Sequence, residues 1–239
     1  MEKEEWKQSL KQQAKKLNIE LEEKQLEAFY SYMEQLQDWN QKINLTAITK
    51  PDEILQKHFI DSLTILPYLK ANTSIIDVGT GAGFPGIPIK IAEETISITL
   101  LDALGKRVNF LNKVIKELGL SNISALHLRA EEGAKDLKLR EQFDVAISRA
   151  VAPLPTLVEY LLPFVKIKGR CICMKGSNVE EIDYGKKAIE ILGGKIERIE
   201  EFTLPNSDMK RTIIIIEKVL KTPNKYPRKP GTPSKEPIG

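Results

Sequence analysis

The residues with the clearest chemistry lie in one decapeptide, DVGTGAGFPG, which runs from Asp77 to Gly86. Gly79, Gly81 and Gly83 alternate there. Glycines let the chain turn tightly and let a ligand approach the main chain. The decapeptide follows the apolar run SIIDVG and precedes an apolar helical pattern, which is the setting of a nucleotide-binding turn. Read from Gly81, the letters GAGFPG match a dinucleotide fingerprint. Read from Gly79, the pattern is Asp-x-Gly-x-Gly-x-Gly, with Asp77 ahead of the first glycine. A carboxylate beside a diphosphate would repel it. S-adenosylmethionine has no phosphate, and its sulfonium and ammonium groups tolerate a nearby acid. The turn therefore favours S-adenosylmethionine over NAD.

Further candidates follow the later apolar runs. SITLLD ends at Asp102. An acid at that point can hydrogen-bond both ribose hydroxyls, or it can cap the helix that follows. ISALHL leads into Arg129, Ala130, Glu131 and Glu132, where an adenine would lie. Glu131 or the backbone near Ala130 could read the ring; the other reading is a solvated acidic turn. His127, near the end of that run, reads as a packed strand-end histidine. Two more runs end in cations, Arg149 and Lys175. Arg149 is placed to span a cofactor carboxylate and a substrate phosphate. Two such cations suit a polyanionic substrate, although Lys175 reads equally as a solvated surface base. Cys171 and Cys173 fall on one face of a strand, a poor geometry for a disulfide, and a lone CxC is not a closed zinc site. They read as buried thiols in a reducing compartment.

To bring these residues to one edge the chain needs a parallel sheet. From Ser74 onward, short apolar runs alternate with helical patterns near residues 87–93, 106–118, 155–165 and 179–192. That alternation predicts an α/β fold with a doubly wound, mostly parallel sheet, whose ligands sit beyond the C-terminal strand ends. KIERIEEFTL and RTIIIIEKV predict a closing strand pair with one antiparallel edge strand. Residues 1–70 read as an N-terminal helical extension. One apolar stripe there is Leu10, Ala14 and Leu17; a second is Leu26, Phe29, Tyr30, Met33 and Leu36. Residues 71–220 form the sheet domain.

Residues 221–239 hold five of the thirteen prolines and the bases Lys221, Lys225, Arg228, Lys229 and Lys235, against the single acid Glu236. Such a segment reads as a disordered tail or as an extended basic arm laid over a surface, without a regular helix or an interior strand.

Composition excludes other classes. Hydrophobic residues make up 41% and charged residues 29%, too apolar for a mostly disordered chain. The net charge of +3 does not by itself mark a nucleic-acid binder. The longest aliphatic run, residues 213–216, is far too short to span a bilayer. The polar start MEKEEWKQSL carries no secretory signal, so a cytoplasmic location is expected.

Several stretches together resemble the bacterial glucose-inhibited division protein B (GidB) family, the 16S rRNA guanine-N7 methyltransferases. They are Asn44-Leu45-Thr46, HFIDSL from His58, DVGTGAGFPG, Arg129-Ala130-Glu131, SRAVAPL from Ser148 and YPRKPGTP from Tyr226. The resemblance covers essentially the whole chain, with Lys229 standing where a second arginine is expected. It implies a Rossmann-like methyltransferase sheet of seven strands with an N-terminal helical extension. It also implies S-adenosylmethionine as cofactor and 16S rRNA as substrate, free or within the small subunit or its assembly intermediate, modified at N7 of one decoding-region guanine. Cofactor contacts carry over to Gly79, Phe84, Ala130, Glu131 and Arg149, with the loop of Asp102 and Leu104 beside them. Asn44, His58, Asp61 and Ser62 become an entrance lining. Without the resemblance, His58 reads as a packed helix residue and Asp61 and Ser62 as caps. Arg211 and the basic arm, Arg228 included, become RNA contacts. Guanine N7 carries a free lone pair, so no general base, covalent intermediate or metal is expected, and the chain is expected to act as a monomer. An NAD(P)-dependent oxidoreductase, disfavoured by Asp77, a small-molecule methyltransferase and a non-catalytic RNA-binding module are the competing readings.

Overall fold

The computed structural model describes residues 2–177 and 181–239. Val179, the expected start of one helix, lies outside them. Helix α1 (Lys3–Lys16) buries Trp6, Leu10 and Ala14. Helix α2 (Glu23–Asn40) buries Leu26, Phe29, Tyr32, Met33 and Leu36. Tyr32, not Tyr30, is thus the fully buried tyrosine of that stripe. Tyr30 packs edge-on against Trp6 instead. The next helix starts with Pro51 in its first turn, where the missing N–H costs nothing. It runs as α3 (Pro51–Ile54), a π-helical stretch (Leu55–Ile60) and α4 (Asp61–Leu63). Wide turns of this kind recur at functional sites, and this one carries His58.

Strands and helices then alternate as expected: β1 (Ser74–Val78), α5 (Gly86–Ala92), β2 (Ser97–Asp102), α6 (Gly105–Glu117), β3 (Ile123–His127), α7 (Ala130–Gly133), β4 (Phe143–Arg149), α8 (Leu154–Leu161), β5 (Val165–Lys175), α9 (Glu181–Ile191), β6 (Gly194–Thr203) and β7 (Lys210–Lys218). The seven strands form one sheet in the order β3-β2-β1-β4-β5-β7-β6. The strands from β3 to β5 pair in parallel, and β7 is antiparallel to both β5 and β6. The expected antiparallel edge strand is therefore one place in from the edge. The hairpin folds β7 back between β5 and β6, because only β7, with buried residues from Thr212 to Ile216, can be covered on both faces.

Period-two alternation divides the sheet between two cores. Ile75, Ile98, Leu100, Ile213 and Ile215 pack with Trp6, Phe29, Tyr32, Phe59 and Phe110 on the side of the N-terminal helices. Ile76, Val78, Ile214 and Ile216 pack with α8, α9, Cys171 and Cys173 on the other. Both thiols are fully buried, and burial pushes the Cys173 thiol up to about 12.

The C-terminal segment is not a loose tail. Tyr226 and Ile238 join the second core, and the short helix α10 (Thr232–Lys235) forms where sequence reading expected none. Among the described residues, no helix is long and apolar enough to cross a membrane.

Candidate functional site

The glycine turn leaves β1 with Gly79, Gly81 and Gly83 all at positive φ (+70°, +62° and +101°), a region that costs other residues steric strain. The three glycines serve different purposes. A Cβ on Gly83 would come within 2.7 Å of the Tyr32 hydroxyl, so Gly83 faces the helical extension rather than the expected ligand. The Tyr32 hydroxyl donates to the Ala82 carbonyl and holds the turn from below. A Cβ on Gly81 would meet nothing within 4 Å, so this backbone faces open space.

Asp77 braces the turn from inside. Its Oδ2 accepts from the Thr80 hydroxyl at 2.6 Å and from the Gly86 amide at 2.9 Å. Its Oδ1 is buried without a partner, and burial raises the carboxyl to about 7.

Two cavities meet at the turn, of about 430 Å³ and about 220 Å³. They share Gly79, Asp102, Ala103 and Val151. The larger is walled by Gly81, Phe84, Leu104, Arg107, His58 and Arg149. The smaller is walled by Ala130, Glu131, Tyr160, Gly231 and Ser234. Asp102 sits between them, accepting from the amides of Gly81 and Leu104, each at 2.9 Å. The second bond steadies the loop ahead of α6, whose N-cap position is Leu104 and which has no side-chain cap, so the capping alternative for Asp102 does not hold. His127 is exposed at the sheet edge, not packed, because β3 is the outermost strand; its Nε2 lies 3.1 Å from the Ala103 carbonyl and steadies the same loop.

A third cavity, about 440 Å³, opens on the far side of Arg149 and shares His58, Arg149 and Ala150 with the larger of the first two. Arg211 and Lys175 line it. Arg149 is packed over the Phe84 ring at 5.1 Å. Its Nη1 donates to Asp61 Oδ2 at 3.1 Å, and its Nη2 reaches His58 Nδ1 at 2.9 Å. Guanidinium nitrogens only donate, so Nδ1 must accept and the His58 proton sits on Nε2, 2.9 Å from the Thr46 hydroxyl. The ring stacks on Phe84 at 4.3 Å. Burial first, then the Arg149 charge, lowers His58 to about 3, so it is neutral. Asp61 Oδ1 accepts from Arg211 Nε at 2.8 Å, so one carboxylate ties two arginines. Lys175 pairs with Glu181 at 3.0 Å and donates to the Ala152 carbonyl at 2.7 Å.

The structure thus brings His58, Asp61, Arg149, Lys175 and Arg211 to one cleft beside Gly79, Gly81, Phe84 and Asp102. Besides Gly83, two expected residues stand apart, Ser62 and Arg228. Ser62 is fully buried and its hydroxyl turns back to the His58 carbonyl at 2.5 Å, satisfying itself within the helix. Asn44 lines a basic depression with Lys42 and Lys106 that adjoins the larger cavity at Ala103, Leu104 and Arg107. Arg228 is committed to Glu159, donating from its amide, Nε and Nη2 at 2.6–3.2 Å. Sequence reading missed Tyr32, Thr46, Arg107 and Tyr160. Of these, Tyr32 had a signal in its position three after Phe29 and four before Leu36, and Thr46 in the family-like stretch Asn44-Leu45-Thr46.

The sheet order and the glycine turn over its central strand define the Rossmann-like methyltransferase fold. Solved structures share it: M. jannaschii TYW2 in complex with AdoMet (TM-score 0.52, 15% identity, 66% of this chain and 75% of that one). Another is precorrin-6y C5,15-methyltransferase from Geobacter metallireducens (TM-score 0.50, 13% identity, 74% of this chain and 92% of that one). A family model described as GidB, rRNA small subunit methyltransferase G, matches residues 25–213. "Ribosomal RNA small subunit methyltransferase G" of Acetivibrio thermocellus is 55% identical over 221 residues, covering 92% of this chain and 91% of its own. The protein of the same name from Clostridium tetani is 52% identical over 225 residues, covering 93% and 94%. The chain belongs to the GidB family of rRNA small subunit methyltransferases.

Proposed function

We propose that this chain transfers a methyl group from S-adenosylmethionine to N7 of one guanine in the decoding-region loop of 16S rRNA. One observation carries the reading. The cavity over the glycine turn opens, past Arg149, into a second cavity bordered by four cations, Lys57, Arg149, Lys175 and Arg211, against two carboxylates, Asp61 and Glu181. A small cationic cofactor suits the first, and a polyanion suits the second.

The residues fit the cofactor. Ala130 and Glu131 would border its adenine, Asp102 its ribose, and the backbone at Gly79 and Gly81 with Arg149 its amino-acid end. When bound, S-adenosylmethionine supplies an electrophilic methyl group on its sulfonium.

The chain's own task is to hold and to shield. Arg211 and Lys175 would hold RNA phosphate, and Phe84 with His58 walls the passage between the two cavities against water. Guanine N7 needs no deprotonation, which agrees with the state of His58: neutral, with both ring nitrogens engaged, it is not poised as a base.

The test is transfer of labelled methyl from S-adenosylmethionine to small-subunit rRNA lacking its native modification, offered both free and in the subunit. A single N7-methylguanine in the decoding-region loop, mapped by mass spectrometry, is expected. Methylation at another atom, or no transfer to either form, overturns the reading.

A further inference from the structure

The segment after β7 runs along α8, against Thr156 and Glu159, and is fastened at four points. Arg140 donates to the carbonyls of Thr222 and Tyr226, each at 2.9 Å. Arg228 is bound to the fully buried Glu159. The Gly231 amide donates to Glu131 Oε1 at 3.0 Å. The Thr156 hydroxyl donates to the Pro233 carbonyl at 2.9 Å. Tyr226, Pro227 and Pro233 face inward, while Lys225, Lys229 and Lys235 face solvent. Two hydrogen-bonded turns, closed by Tyr226 to Pro223 and by Thr232 to Lys229, and the helix α10 hold this course without a sheet partner, and the prolines leave the unfolded chain fewer states to lose.

The third fastening lies at the site. Glu131 borders the smaller cavity, and Gly231 and Ser234 close the same cavity opposite Gly79 and Asp102. Resting on the cofactor reading above, we propose that residues 228–234 form a wall of the adenine-side cavity, which makes this strap part of the cofactor site. The strap orients the Glu131 carboxylate and covers the ring edge; without it the cavity is an open notch at the ends of β2 and β3. The tie to Glu159 is then an anchor that keeps the wall in place.

Ser234 is exposed, its hydroxyl 3.0 Å from the Gly231 carbonyl and beside Tyr160, so Ser234→Trp alters the wall, and the thermal midpoint checks that the fold is kept. In the full-length protein, calorimetric titration with S-adenosylmethionine should show a Kd raised about tenfold or more, at an unchanged thermal midpoint. Cofactor-free binding of small-subunit rRNA should be unchanged. In the wild type, S-adenosylmethionine should also slow tryptic cleavage after Arg228 and Lys235. The Lys225→Ala/Lys235→Ala variant, altered at exposed positions outside residues 228–234, should keep the wild-type Kd. An unchanged Kd for Ser234→Trp, with or without a loss of rRNA binding, overturns the wall while leaving the cofactor reading intact. A wild type that does not bind S-adenosylmethionine overturns both.

Discussion

Arg149 donates from Nη2 to Nδ1 of His58 at 2.9 Å, which fixes both the tautomer and the charge of the imidazole. A buried histidine with a folded pKa of about 3, against an ordinary value of 6.5, binds fewer protons folded than unfolded across that window. Its contribution to stability is therefore complete above pH 6.5 and is lost as pH falls toward 3. His58→Gln keeps one acceptor and one donor but cannot titrate. From pH 7.5 to pH 5 the wild type should lose on the order of 2 kcal/mol more than the variant in urea unfolding. Asp77, raised to about 7, opposes this trend by losing stability as pH rises from about 4, but it is common to both proteins and cancels. Equal pH dependence would show that His58 is not held neutral.

The glycines of the turn should separate folding from binding. A side chain at Gly86 would meet Leu100 Cδ2 at 2.4 Å and Asp77 Oδ2 at 2.9 Å, so Gly86→Ala should cost about 1–3 kcal/mol of stability. For Gly81→Val, the added Cβ meets no protein atom within 4 Å. Its positive φ costs about 1–2 kcal/mol, and its side chain enters the cavity, so calorimetry should find cofactor binding abolished in a folded protein. Retained affinity in Gly81→Val would move the site away from the turn.

Glu159 depends on the strap. It is fully buried, and its carboxylate is bonded by the amide and side chain of Arg228. Arg228→Met should cost about 3–5 kcal/mol in urea unfolding, because it strands a buried charge. Adding Glu159→Leu should recover most of that loss. A single-variant cost below about 1 kcal/mol would mean that the pair is not holding the segment.

The sequence made the periodic parts legible. Each parallel strand announced itself as a short apolar run, and Asp102, Arg149 and Lys175 were found because strand ends on one edge face a ligand. What stayed hidden depended on distant partners. Nothing near Arg228 signals that Glu159 waits beneath it, so a proline-rich basic segment read as an arm. Nothing near Ser62 shows that its hydroxyl turns inward to His58. The place of β7 inside the sheet was equally invisible, since hydrophobicity reports burial on both faces but not which strands lie alongside. Gly83 shows the limit of the motif itself: three glycines look alike in the letters, yet one of them faces Tyr32.

The carboxylate of Asp61 reaches Arg149 across 88 residues of chain and Arg211 across 150. Contacts so far apart close late in folding, because the entropy of the long loops is lost before the contacts return anything. The cleft is consequently one of the last features the chain acquires. A molecule in which the N-terminal helices or β7 have not docked carries the same charges, but scattered. On the proposed function, engaging a polyanion through this cleft would therefore report that the whole fold is finished, and a half-folded chain would be excluded from the substrate by its own topology.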